Sequence, residues 1–159
     1  MKTLLLGMGN PILCDDAIGV RLARHFRREL SGTAGLEVME ECAVGGLNLL
    51  DIMSGYDRII VLDSILTTGG VPGDWYRFTA AALRETMHLT NIHDTNFATA
   101  LELGARVGMP LPRPDNIHIF AVEAKDTLFF SEQMTPELEN AYPGYASAIL
   151  SEVRQLLQA

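Results

Sequence analysis

Cysteine is scarce in this chain: only Cys14 and Cys42 occur in 159 residues, in neither a CxxC motif nor a disulfide framework. Two isolated thiols fit a reducing compartment, so a cytoplasmic protein is expected. Basic charge is scarce as well, with 12 Lys and Arg against 20 Asp and Glu and a net charge of −8. A surface of that sign repels phosphate, which argues against nucleic acid and anionic membranes as partners. No apolar run reaches the roughly 18 residues of a membrane span. The N-terminus enters a strand pattern directly, without the basic, apolar and small-residue zones of a signal peptide. Repeats, linkers and low-complexity tracts are lacking too, so residues 1–159 read as one domain, long enough to bury a core. Of the familiar hydrolytic signatures, neither HExxH nor a Ser-His-Asp or Cys-His set is evident.

What is present is concentrated near the start. The apolar run Thr3-Leu4-Leu5-Leu6 reads as a buried strand and opens into Gly7-Met8-Gly9-Asn10-Pro11, followed by Cys14-Asp15-Asp16-Ala17-Ile18-Gly19. The glycines let the backbone turn sharply out of a sheet, and loops at the C-terminal ends of strands are where open α/β sheets bind ligands. A nucleotide loop fails on detail. Ile12 stands where a dinucleotide fingerprint needs its third glycine, no Gly-Lys-Ser/Thr ending follows, and two aspartates would repel a phosphate. Carboxylates here suit a cation instead. The plainer alternative is that Asp15 or Asp16 caps the helix that follows.

Strand patterns fall near 3–8, 36–41, 58–63, 75–79 and 116–122. Leu36–Glu40 alternates as a half-exposed strand does, and Ile59-Ile60-Val61-Leu62 is continuously apolar, as at the centre of a sheet. Helical spacing joins Ile18, Leu22 and Phe26; Leu47, Leu50 and Met53; Phe97, Leu101 and Ala105; and Tyr142, Ile149, Val153 and Leu156. Thr135-Pro136 reads as an N-cap followed by proline in the first turn. Strands alternating with helices predict an α/β three-layer sandwich, with a mostly parallel, about five-stranded twisted sheet flanked by helices. The segment Asp74–Phe78, just after the turn Gly69-Gly70-Val71-Pro72-Gly73, is expected to be an edge strand, with an antiparallel direction open to it.

Three side chains from three loops then become candidates for one site. Asp63 ends the apolar strand Val61-Leu62-Asp63, where a carboxylate needs a cation or hydrogen-bond donors; donors in its own turn are the bland alternative. His93 stands before the helix that contains Phe97, while His25, His88 and His118 lie on a helix, in a polar loop and in a strand. Asp16, Asp63 and His93 converge at one end of the sheet if the first and third strands are parallel neighbours. Two carboxylates and an imidazole suit a borderline divalent ion such as Ni²⁺, Zn²⁺ or Mn²⁺, with coordination positions left open.

With those residues identified, the chain resembles the hydrogenase maturation endopeptidases, which complete the large subunit of nickel-iron hydrogenases. The resemblance rests on Leu6-Gly7-Met8-Gly9-Asn10-Pro11 with Asp15-Asp16-Ala17-Ile18-Gly19-Val20, on Val61-Leu62-Asp63-Ser64, and on His93. Phe120-Ala121-Val122-Glu123 and Met134-Thr135-Pro136-Glu137-Leu138 add weaker support. One departure is Glu41-Cys42-Ala43-Val44-Gly45-Gly46, where the family usually carries Asp-Gly-Gly-Thr. The resemblance implies a peptidase acting on a nickel-loaded hydrogenase large-subunit precursor, from which it removes a C-terminal extension. It implies Asp16, Asp63 and His93 as metal ligands, the metal being nickel supplied by the substrate, with zinc or cadmium as stand-ins. Gly7, Gly9, Asn10, Gly45 and Gly46 are expected to contact substrate. Asp16 is favoured as the base that activates water, because it lies in the glycine loop rather than at a strand end. A non-catalytic nickel carrier or assembly checkpoint would use the same trio. A flavodoxin-like cofactor domain and a general peptidase are the remaining readings.

Overall fold

The computed structural model describes the backbone of residues 1–83 and 92–159, and the side chains of 1–83 and 99–159. Five strands form one sheet: β1 (Thr3–Met8), β2 (Leu36–Cys42), β3 (Arg58–Ile65), β4 (Trp75–Thr79) and β5 (Ile117–Glu123). Their order is β2-β1-β3-β5-β4. The pairings β1/β2, β1/β3 and β3/β5 are parallel, and β4 runs antiparallel to β5 at the edge. The helices are α1 (Ile18–Glu29), α2 (Leu47–Met53), α3 (Ala80–Leu83), α4 (Ile92–Arg106) and α5 (Pro136–Gln158), with 3₁₀ turns at Cys14–Ala17 and Pro114–Asn116. The expected α/β sandwich with its mostly parallel sheet is therefore what the chain forms.

Strand alternation sorts the core into two layers, because successive side chains point to opposite faces. Leu5, Ile60, Leu62, Phe120 and Val122 face α1 and α5, where they meet Ile18, Leu22, Phe26, Ile149 and Val153. Leu4, Leu6, Ile59, Val61, Ile117 and Ile119 face the other way, onto Leu49, Leu50, Met53 and Leu101. Close packing of α1 on the sheet depends on two glycines. A Cβ on Gly19 would lie 2.3 Å from both the Leu62 and Met8 carbonyl oxygens, and one on Gly7 would lie 2.4 Å from Glu40 O.

Three local expectations are corrected. Leu47, at the first position of α2, is exposed, so the buried face of that helix is Leu49, Leu50 and Met53. Ala105 is exposed, and α4 buries Ala100, Leu101 and Gly104 instead. Gly104 is small enough to admit Leu111 and Leu50, whose methyls would lie 2.6 and 3.0 Å from any Cβ there. Thr135 makes no side-chain capping bond to α5, because its hydroxyl is directed to Asp15. A proline inside α5, Pro143, sits within the helix without ending it.

The order β2-β1-β3 places the topological switch between β1 and β3: the chain leaves β1 for one side and returns from β2 to the other. Crevices outside the carboxyl ends of strands at such a point are where doubly wound sheets bind ligands.

Candidate active site

The β1/β3 pairing runs from Thr3↔Arg58 to Gly7↔Leu62 and stops there, while β3 continues against β5 through Asp63↔Ala121 to Ile65↔Glu123. Asp63 is thus not the end of its strand, as the sequence suggests, but the first residue beyond the fork where β1 turns away. The turn is made by Gly9, at φ +117°, a conformation that side chains other than hydrogen rarely adopt. A Cβ there would stand 2.0 Å from the Asp16 carbonyl oxygen. Into this fork opens a cavity of about 240 Å³, lined by Met8, Gly9, Asn10, Leu13, Asp16, Cys42, Ala43, Val44 and Asp63.

Asp16 sits in the 3₁₀ turn Cys14–Ala17 rather than in the glycine loop itself. Its Oδ2 accepts the Asn10 N–H at 2.8 Å, and Ser64 Oγ donates to its Oδ1 over a long 3.3 Å. The Asn10 side chain in turn accepts from Ile12 N–H at 3.1 Å, and Leu13 N–H reaches Asn10 O at 3.1 Å. The loop is therefore folded around the carboxylate and holds it at the cavity wall. Asp63 is half-buried, and its Oδ1 accepts from the following Ser64 N–H at 2.8 Å, so the turn bond foreseen as its alternative role is made. That bond does not withdraw Asp63 from the cavity, which it lines together with Asp16.

Its neighbour Asp15 takes a different path. It is fully buried and accepts Lys125 N–H (2.9 Å) and Asp126 N–H (3.0 Å) at Oδ2, and Thr135 N–H (2.7 Å) at Oδ1, with the Thr135 hydroxyl at 2.9–3.0 Å from both oxygens. The pair of acids singled out from the sequence is split: Asp16 faces the cavity, and Asp15 fastens the β5–α5 connection.

The remaining candidates are dispersed. His93 lies in the first turn of α4 rather than before it, and its side chain, like all of His88, falls outside the described residues. Asp16, Asp63 and Cys42 do not close into a three-donor metal group, and no such group occurs among the described residues. Gly9 and Asn10 line the cavity; Gly7 is buried against α1 and does not. Gly45 is exposed and Gly46 half-buried, both beyond the lining, which the same segment supplies through Cys42, Ala43 and Val44. His25 Nδ1 lies 3.2 Å from the Tyr142 hydroxyl on α1's outer side, and His118 is held below its usual range by burial, Arg77 and Arg58.

Sequence reasoning missed two contributors. Ser64, nearly buried, reaches Asp16; its signal was its place directly after Asp63 in a strand leaving the switch point. Cys42 closes β2 at the same end of the sheet, with its thiol raised above the ordinary value by burial and secondarily by Asp63. A protonated thiol is a poor nucleophile. Cys14, at φ +49° and buried, has its thiol raised by burial and then by Asp15, which fits packing rather than catalysis.

Comparison with known proteins decides the family. The model of the hydrogenase maturation proteases (HycI) matches residues 20–152. The chain belongs to this family. Among curated relatives, the hydrogenase 2 maturation protease of Escherichia coli K12 is 33% identical over 73 residues, covering 46% of this chain. That match spans 44% of the relative's length, less than half of it. Among solved structures, the hydrogenase maturating endopeptidase HybD from E. coli superposes with a TM-score of 0.76 at 23% identity, over 98% of this chain and 93% of that one. The [NiFe] hydrogenase maturation protease HybD from Thermococcus kodakarensis gives 0.73 at 20% identity, over 99% of both. At those identities the superpositions speak for the shared fold. Among the described residues of this family member, the cavity at the β1/β3 fork is where the carboxylates of Asp16 and Asp63 line one pocket.

Proposed function

We propose that this maturation protease is the endopeptidase that removes the C-terminal extension of a [NiFe] hydrogenase large-subunit precursor after nickel has been inserted. The observation that carries the reading is the meeting of Asp16, from the 3₁₀ turn after β1, and Asp63, from within β3, on the wall of one small cavity. Nickel belongs to the substrate in this reading. Two carboxylates are a donor set suited to a borderline divalent ion, and the imidazole of His93 on α4 is the proposed third ligand. Bound beside the scissile bond, the metal supplies Lewis acidity to the peptide carbonyl.

The chain's own residues do the rest. Asp16, fixed by Asn10 N–H at one oxygen, takes a proton from the attacking water at the other and returns it to the nitrogen that leaves as the C–N bond breaks. The Ser64 hydroxyl steadies that oxygen until the water arrives. Asp63, on the strand, holds its place while the peptide is cut, and its charge with that of Asp16 balances a dication. Cys42, Ala43 and Val44 form the wall where relatives are expected to be rich in glycine, so this segment tunes which C-terminal extension fits.

The test is the intact mass of the co-occurring large-subunit precursor, incubated with the wild-type protein or Asp16→Asn, with and without nickel. Loss of one discrete C-terminal peptide is expected only with wild-type protein and nickel-loaded precursor. An unchanged mass for loaded precursor, or full trimming by Asp16→Asn, sinks respectively the peptidase reading and the role of Asp16. Tight retention of nickel by the free protein without trimming would favour a carrier.

A further inference from the structure

Leu128, Phe129 and Phe130 stand 84%, 65% and 77% exposed, three successive large apolar side chains on the β5–α5 connection, with Ile12 of the site loop 46% exposed. Contiguous exposed apolar surface of this kind marks interaction sites. The segment that carries it is not loose. Asp126 Oδ1 accepts both Leu128 N–H (2.9 Å) and Phe129 N–H (3.0 Å), while Asp126 N–H and Lys125 N–H are held by Asp15. Beyond the tip, Ser131 N–H donates to Ile12 O at 2.9 Å, Cys14 N–H donates to Ser131 O at 3.0 Å, and Leu13 bridges Ser131. The apolar tip is thus joined through backbone bonds to Leu13, which lines the cavity.

The cavity itself is small. At about 240 Å³ it lies below the roughly 300–1,000 Å³ of ordinary small-molecule sites and holds little more than the residues around one peptide bond. Selection of one protein among many must then come from surface outside it. Aromatic side chains carried on a turn whose backbone is already hydrogen-bonded are the kind of anchor that contributes most to protein association, because little backbone freedom is lost on binding.

We propose that Leu128, Phe129 and Phe130, with Ile12, form a preformed anchor for the folded body of the precursor protein, next to the cavity that receives its C-terminal extension. This rests on the proposed function. The anchor takes an apolar patch on a folded partner and does not touch the reacting atoms, so it governs substrate capture and not the chemical step.

The experiment is steady-state trimming of nickel-loaded precursor by the wild-type protein and by the double variant Phe129→Ser/Phe130→Ser, with thermal unfolding and sedimentation velocity of both proteins alongside. The variant is expected to unfold at the wild-type temperature, to keep kcat within about twofold, and to raise KM about tenfold or more, since loss of a central aromatic anchor costs a factor of that order. Trimming by the variant with an unchanged KM overturns the anchor while leaving the protease reading intact. A kcat loss at unchanged KM also overturns it, by placing the tip in the chemistry. A wild-type dimer that the variant dissociates, with KM unaffected, assigns the patch to a second copy of the chain. If the wild-type protein trims nothing, the proposed function fails first and the anchor with it.

Discussion

Asp15 and Asp16 are adjacent in the chain and opposite in employment. Asp15 is sealed from solvent among backbone N–H donors contributed by residues 125, 126 and 135. Asp16 leans on one backbone N–H and one distant hydroxyl, and faces open space. The difference teaches that a charged pair at a strand end is not evidence of two ligands. One carboxylate can be consumed in building the wall against which the other works. What separates them is a single turn of 3₁₀ helix, which sends consecutive side chains to different sides of the loop.

The strongest way to break the comparison is Asp15→Ala. Three backbone donors lose their acceptor at about 1–3 kcal/mol each, so a destabilisation of at least about 3 kcal/mol is expected in urea or thermal unfolding. By contrast, Asp16→Asn, expected to leave the precursor uncut, should stay within about 1 kcal/mol of wild type, since an amide oxygen still accepts from Asn10 N–H. Equal losses for the two would erase the distinction. Next comes Gly9→Ala. Its Cβ would require both a positive φ and displacement of the Asp16 carbonyl, for a cost of at least about 2 kcal/mol. Because the displaced residue is Asp16, trimming should fall more steeply than stability, a pattern that activity per folded molecule would reveal.

The smallest effect is one of pH. Asp126 is held below the ordinary carboxylate value of 3.8 by the N–H groups of Leu128 and then Phe129. A carboxylate lowered in the folded state contributes order that is complete above its unfolded value and is lost only as pH falls through the lower folded one. The amide resonances of Leu128 and Phe129 should therefore shift as pH falls with a midpoint below 3.8. A midpoint at or above 3.8 would mean that the turn presenting the aromatic tip is not built on Asp126.

Much of this was legible beforehand, and the physical reasons are specific. All five strands could be read because a buried parallel sheet demands apolar runs, and Ile59–Leu62 and Leu4–Leu6 leave few alternatives. Edge strand β4 was readable from the turn-rich residues before Trp75. Gly9, Asn10 and Asp16 could be placed because they follow β1 directly, and Asp63 because it closes an apolar run, although β3 continues past it. The helix faces were less clear. Leu47 and Ala105 fit the spacing but sit at the ends of α2 and α4, where the buried stripe has already rotated away from the sheet. The task of Asp15 was not legible at all, because its partners lie 110 to 120 positions downstream and are mainly backbone groups. Backbone donors carry no signature in the order of side chains. The same applies to Thr135, whose hydroxyl looks like a helix cap until a distant carboxylate claims it.

The reach of Asp15 also has a consequence for timing. The cavity loop comes well before its partners in the chain, and its fastening waits for residues 125, 126 and 135. Closing a loop of more than a hundred residues is entropically expensive and slow, and belongs to the late part of folding. β1, α1 and β2 can dock in an emerging chain while Asp15 still lacks its donors and the aromatic tip does not yet exist. A chain in which only β1, α1, β2 and β3 have docked therefore carries Asp16 and Asp63 without the bonds that fasten the loop beside them, and stays so until β5, the connection after it and the start of α5 have formed.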